Sequence, residues 1–468
     1  MLPYSASVFG WAQARAATRL YFFSQRQSIT VQQADQILHA RWVIPVEPAR
    51  EVLSEHSVMI RQARIAAVLP TALARREYTA AQEVELPHHA LIPGFVNGHC
   101  HAAMSLLRGV ADDLPLKTWL EEHIWPAEAR WADREFVRDG SRLAAAEMLL
   151  GGTTCFNDMY FFPDETAAVA IEAGIRAVVG MIVIGFPTAW ARSTREYLVN
   201  GQAVHDRFKG HPLIRTTFAP HAPYTVDDAA LSQVATLAEE LDLPVHMHIH
   251  ETAHEVATSL TTHGERPLAR LERLGLLSNR LLAVHMTQLT AAEIARIARA
   301  GISVVHCPES NLKLASGFCP LAQLLAAGVN CALGTDGAAS NNDLDMLGEM
   351  RTAALLAKAV AGDPCAVPAH IALQMATLNG ARALGLEQEI GSLVAGKSAD
   401  MVAFDLGGVR AQPVYDPLSQ IIYAGHRDQV TDVWVAGRRV VQHGELTTID
   451  APRLAEMAAR WREKIAAR

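Results

Sequence analysis

Between residues 91 and 336 the apolar and polar positions fall into a repeating unit, a short apolar run followed by a stretch in which apolar residues recur at helical spacing. Eight runs can be counted: LIPGFVNGHCH (91–101), TTCFND (153–158), RAVVGMIV (176–183), IRTTFAPH (214–221), PVHMHIH (244–250), LLAVH (281–285), ISVVH (302–306) and NCALGTD (330–336). Segments of helical period at 139–151, 227–242, 290–300 and 346–360 lie between them. Buried-strand runs that alternate with amphipathic helices argue for βα units on a parallel sheet, and eight of them predict an α/β chain closed into a (β/α)₈ barrel of the TIM type. The flanks read differently. ILHARWVIP and SVMIRQARIAAVLP near the start, and GSLVAGKSADMVAFDL (391–406) and VTDVWVAGRRVVQHGEL (430–446) near the end, are short, alternating and punctuated by glycine. Neither set can close a core alone, so a small composite β-sandwich built from both chain ends is expected. The predicted division is an extension at 1–33, sandwich strands at 34–90, the barrel at 91–390, further sandwich strands at 391–446 and a C-terminal helical segment at 447–468.

A chain of 468 residues exceeds what one hydrophobic core usually supports, which agrees with a large and a small unit. A net charge of −8 and a sequence pI near 6.2 supply no basic surface, so nucleic acid is not an expected partner. No run of about 18 apolar residues suggests a membrane span. The six cysteines stand singly, which points to a reducing cytoplasm and not to a secreted disulfide framework. Residues 1–34 hold Arg15, Arg19 and Arg26 without an acid, but no continuous apolar region, so the extension is not expected to be an address signal.

Chemistry enters at His99-Cys100-His101. Residues two apart on a strand point the same way, so this triplet can aim two imidazoles at one point. Neutral imidazole is a preferred ligand of catalytic transition metals. An isolated H-x-H arises by chance in a chain with 20 histidines, but further imidazoles and acids stand at later strand ends. His246, His248 and His250 alternate, so all three could share a face, and spacing alone does not say which meets a metal. Glu251 follows them, His285 ends LLAVH, and Asp336 sits between an apolar run and a Gly-rich turn.

In this order the set resembles the ligand and acid/base residues of the amidohydrolase superfamily over roughly residues 30–445. The resemblance implies His99, His101, His248 and Asp336 as ligands of one divalent metal, zinc foremost, with the H-x-x-E spacing selecting His248. It further implies Glu251 as the proton carrier, His285 as the residue that orients the nucleophile, and Asp336 as both ligand and base. IRTTFAPH carries His221 where the two-metal members carry a bridging Lys, which argues for a single metal. The stretch HAAMSLLRGVADDLPLKTWLEEHIWPAEARW is similar to the branch that deaminates 5′-methylthioadenosine and S-adenosylhomocysteine. That similarity implies hydrolytic deamination of an adenine ring by a zinc-bound hydroxide. Glu128 of Trp125-Pro126-Ala127-Glu128 would grip the ribose hydroxyls, and His221 would reach the nucleoside. Met104, Leu107, Trp119 and Trp125 are candidates for the thioether wall, and Arg192 and Arg195 for the distal substrate end. The competing expectation is a hydrolase of the same superfamily acting on guanine-like purines or s-triazines, which have no ribose for Glu128 to hold. A small nucleoside is the expected partner, and homo-oligomerisation is left open.

Overall fold

The computed structural model describes residues 31–467. Most of the extension expected at 1–33 therefore lies outside the described residues, and the first strand begins at Gln32. In chain order the strands are β1 (Gln32–Val43), β2 (Leu53–Arg61), β3 (Arg64–Pro70), β4 (Tyr78–Pro93), β5 (Phe95–Cys100), β6 (Thr153–Asp158), β7 (Arg176–Val183), β8 (Ile214–Pro220), β9 (Val245–Ile249), β10 (Leu281–His285), β11 (Ser303–His306), β12 (Asn330–Leu333), β13 (Met401–Asp405), β14 (Val430–Val435), β15 (Arg438–Gln442) and β16 (Glu445–Leu446).

Strands β5 to β12 form an all-parallel sheet in sequential order, each joined to the next through helical crossovers. Their side chains are almost all buried, as parallel strands covered on both faces require, which is why they read as continuous apolar runs and not as alternation. The sheet curls until its ends meet: Asp336 N donates to His99 O at 3.0 Å and Cys100 bridges Asp336 in parallel. That closure makes a (β/α)₈ barrel and sets the end of the last strand beside the H-x-H of the first. Outer helices start on side-chain caps, among them Asp133, Ser193, Asp227 and Thr252, whose oxygens accept the first-turn N–H groups.

The remaining strands form a second, mixed sheet in the order β16-β15-β14-β13-β4-β1-β2-β3, drawn from both chain ends. It bends over itself. Trp434 of β14 donates through Nε1 to Gln36 of β1 at 3.1 Å, although two strands stand between them in the hydrogen-bonding order. Leu38, Val58, Ile60, Leu91, Met401 and Trp434 fill the enclosed core. This curled sheet is the composite sandwich. Barrel and sheet meet at a buried pair, Arg176 of β7 with Asp400 at 2.7 Å, and Arg176 also donates to Ser398 at 2.8 Å. The helix Ala451–Ala466 packs Trp461 edge-on against Phe136 of the barrel layer. Among the described residues no helix is long and apolar enough to cross a membrane, and all six cysteines are free.

Candidate metal centre

Four ligand-type atoms converge at the C-terminal mouth of the barrel. His99 Nε2 and His101 Nε2 each lie 3.2 Å from Asp336 Oδ1, and His248 Nε2 lies 3.2 Å from His99 Nε2. One atom from each of the four residues falls within 4.8 Å of every other. The far side of each ligand is held. His101 Nδ1 donates to Met159 O at 2.6 Å and His248 Nδ1 donates to His221 O at 2.7 Å, which leaves both Nε2 atoms facing inward. Asp336 Oδ2 accepts from Ser310 and Ser340 at 2.6 and 2.8 Å, while Oδ1 accepts from Gly337 N at 2.9 Å and is the oxygen that faces the imidazoles. His99 Nδ1 stands 2.9 Å from His246 Nε2.

Burial sets the charge states. It pushes His99 down to about 4 and His248 well below the ordinary imidazole value, so both are neutral at pH 7 and in the ligating form. Burial alone would raise Asp336, but hydrogen bonds from His101 and His99 outweigh it and hold the carboxyl well below its usual range. Burial would likewise lower His101, but Asp336 lifts it to about 9. His101 thus holds a proton against Asp336 where a cation would otherwise compensate that carboxylate. Three imidazoles and one carboxylate form a donor set suited to one divalent ion of the zinc type.

Beside this cluster lie the acid/base candidates. Glu251 is 5 % exposed, burial raises its carboxyl, and its Oε2 sits 3.8 Å from His285 Nε2. Its backbone is pinned: Glu251 N donates to Glu255 at 2.7 Å, and Thr287 Oγ1 donates to Glu251 O at 2.6 Å. His285 Nδ1 donates to Asn311 Oδ1 at 2.8 Å, so its Nε2 is an acceptor aimed at the site. His285 and Asp336 adopt φ of 72° and 60°, the left-handed region that L residues avoid, and such strain concentrates where side chains must be aimed.

The cavity over the cluster opens at the barrel mouth, with the cluster on its floor. Met104, Trp119, Trp125, Phe161, Ile184 and Phe186 wall it, and Glu128 and His221 line it together with the metal-type ligands. Glu128 is 8 % exposed, burial lifts its carboxyl to about 7, and its Oε1 has no hydrogen-bond partner. His221 Nδ1 is 2.9 Å from Thr225 Oγ1, and its ring stands edge-on to His248. The structure thus gathers His99, His101, His248, Asp336, Glu251, His285, Glu128 and His221 around one cavity. It does not bring in the remaining candidates. Leu107 is fully buried in the core away from the cavity, and Arg192 and Arg195 are exposed and line none of it.

A profile of the Amidohydrolase family matches residues 90–440. The chain belongs to that family. It is 51% identical over 434 residues to a 5-methylthioadenosine/S-adenosylhomocysteine deaminase of Teredinibacter turnerae, covering 93% of this chain and 98% of that one. A protein of the same name from Saccharophagus degradans is 46% identical, with 93% and 97% covered. Among solved structures, an adenosine deaminase from Xanthomonas campestris with bound zinc superposes with a TM-score of 0.93 at 55% identity, covering 94% of this chain and 100% of that one. An atrazine chlorohydrolase from Arthrobacter aurescens superposes at 0.85 but only 23% identity over 91% and 99%, a likeness of fold.

Reading the family from sequence missed the residues that hold the ligands. Asp158 ends the run TTCFND, and its carboxylate accepts from Ala102 N at 2.7 Å, fixing the turn just after His101. Ser310 and Asn311 come from the short helix Pro308–Lys313 and Ser340 from the turn after Asp336, segments too short to carry a periodic signal. The strand-end acid of FND was the one available clue.

Proposed function

We propose that this protein is a metal-dependent aminohydrolase that removes the C6 amino group of 5′-methylthioadenosine, S-adenosylhomocysteine or both. The observation that carries the reading is the buried carboxylate of Glu128, unpartnered at Oε1, in the same cavity as the His/Asp cluster. A carboxylate that accepts from two vicinal hydroxyls suits a ribose, and neither guanine nor a triazine offers one. The names borne by relatives 46–51% identical over nearly the whole chain support the same substrates.

His99, His101, His248 and Asp336 would hold the ion. Bound there, a divalent ion supplies Lewis acidity that brings the pKa of water from about 15.7 to about 7. Glu251, raised by burial, takes a proton from the attacking water and delivers it to the ring nitrogen next to C6. His285 Nε2, fixed as an acceptor by Asn311, and Asp336 orient that water and draw off its second proton. The C6–O bond forms, the C6–N bond breaks, and ammonia leaves with the relayed protons, giving the inosine-type product. Glu128 and His221 hold the ribose and set the base over the cluster, turning binding energy into alignment.

The test is a panel of 5′-methylthioadenosine, S-adenosylhomocysteine, adenosine, guanine and a chlorotriazine given to metal-replete protein while ammonia or chloride release is followed. The thioether nucleosides are expected to react fastest. Preference for guanine or the triazine would overturn the reading.

A further inference from the structure

Glu128 is not the only buried polar group in the cavity without a partner. The Tyr160 hydroxyl, in a residue only 3 % exposed, and Trp119 Nε1, 5 % exposed, also line the cavity and also lack any hydrogen-bond partner. Buried polar atoms are nearly always paired, because an orphan costs about 1–3 kcal/mol, so three in one concave wall point to a ligand that completes them. Tyr160 is placed rigidly. Its neighbour Met159 donates its N–H to Cys100 O at 3.0 Å and accepts from His101 Nδ1 at 2.6 Å, so the tyrosine moves with the H-x-H. Its ring packs on Phe161, with centroids 5.1 Å apart. The hydroxyl faces the Glu128 carboxyl closely enough to act on it as a long hydrogen bond that shifts both ionisations, while neither Glu128 Oε1 nor the phenol oxygen has a partner at ordinary hydrogen-bond distance.

We propose that Tyr160 reads the ribose diol together with Glu128, its O–H donating to a sugar hydroxyl oxygen while the carboxylate accepts from the diol. The chemistry is complementary. Each sugar hydroxyl donates once and accepts, and a carboxylate alone satisfies only the donors. A phenol at its edge supplies the missing donor, and a 2′,3′-dideoxy substrate would leave both protein groups orphaned. This rests on the nucleoside reading above and extends it to a residue whose sequence context, MYFF, looks like packing.

The test is Tyr160→Phe, which keeps the ring and its contact with Phe161. Metal content and thermal midpoint are measured alongside steady-state kinetics on 5′-methylthioadenosine and its 2′,3′-dideoxy analogue. The expected result is a loss of about 5- to 10-fold in kcat/KM for the ribonucleoside, the scale of one neutral hydrogen bond, mostly in KM, with less than about 2-fold for the dideoxy analogue. Equal losses on both substrates, or no loss on the ribonucleoside, would overturn the role of Tyr160 while leaving the deaminase reading intact. Failure of the unmodified protein to deaminate any adenosine derivative would instead overturn both.

Discussion

Among the described residues two clusters bring imidazole and carboxylates within ligand distance of one another, and their surroundings are opposite. In the barrel, His99, His101, His248 and Asp336 are nearly inaccessible, and Asp336 is met by imidazoles, serine hydroxyls and one backbone N–H, with no guanidinium or ammonium among them. In the curled sheet, His39 of β1 faces Glu83 of β4 at 3.3 Å, with Glu85 nearby. There the acid side chains are 44% and 59% exposed, and Arg75 already pairs with both, at 3.7 and 2.5 Å. His39 is itself satisfied, its Nδ1 lying 2.7 Å from Ser57 Oγ. A carboxylate in water beside a guanidinium gains little from a further cation, because solvent and arginine already compensate it. A buried carboxylate compensated only by a proton on a facing imidazole, with the rings turned inward by fixed hydrogen bonds, offers a cation a ready site once that proton leaves. Residue type and proximity are therefore common to both clusters, and what separates a metal centre from a surface network is burial plus orientation from behind.

The sharpest break of that comparison is metal content. Purified protein is expected to hold about one equivalent of a divalent ion, zinc foremost. His248→Ala and Asp336→Ala should each lose it, and with it all turnover, whereas Glu83→Gln with Glu85→Gln should keep both. Two equivalents, one of them lost in the Glu83/Glu85 variant, would mean that the sheet cluster binds metal after all.

Glu251 sharpens the comparison within the barrel, since it lies beside the ligands without joining their convergence. Glu251→Gln should retain the metal yet lower kcat by roughly 10²-fold or more, the range for a lost proton carrier. Metal loss in this variant would make Glu251 a ligand, and near-native turnover would take it out of the reaction.

The two clusters also differ in how far they could be read from the chain. The barrel strands were legible because strands buried on both faces are short and wholly apolar, and the C-terminal strand ends follow from the order of the βα units. His99 and His101 followed from two-residue periodicity. The same periodicity could not separate His246, His248 and His250. The structure separates them because His250 leaves the strand at φ 53° and turns to accept from Leu268 N at 3.1 Å, while His246 backs His99 and His248 faces the cluster. Asn311, Ser310 and Ser340 were invisible for another reason. Each acts through a few side-chain contacts that exist only once the strand ends are assembled, and such contacts leave no periodic pattern in a sequence. The curl of the second sheet, which lets Trp434 reach Gln36, is likewise a long-range property that strand patterns do not encode.

Glu128 offers a smaller effect than the metal or the proton carrier. Glu128→Ala should lower kcat/KM for 5′-methylthioadenosine or S-adenosylhomocysteine by about 2–3 kcal/mol, the scale of charge-assisted hydrogen bonds. The 2′,3′-dideoxy analogue should be a poor substrate already and lose little more. Equal losses on both would show that Glu128 supports the cavity wall and does not read the sugar.

The smallest effect concerns stability, and it sets the barrel carboxylate directly against the sheet carboxylate. Burial lifts Glu128 from an unfolded value of 4.5 to about 7 in the folded protein. The folded state therefore holds that proton more tightly than the unfolded chain. Its contribution is fully present below pH 4.5 and is lost as pH rises through about 7. At pH 8 the unliganded protein carries a buried carboxylate with an unpartnered oxygen, at a cost on the order of 1–3 kcal/mol relative to pH 4. Glutamine keeps the shape without the charge. Glu128→Gln should thus raise the thermal midpoint at pH 8 by a few degrees, with no gain near pH 4, and should do so while weakening nucleoside binding. Glu83→Gln removes a half-exposed partner of Arg75, a surface pair worth about 0–1 kcal/mol, so it should lower stability slightly or leave it unchanged at pH 8. Opposite signs for one chemical replacement would tie the cost of the barrel site to its preparation for a ligand. Equal signs would mean that the Glu128 carboxylate finds compensation in the unliganded protein and is not held ready for a sugar.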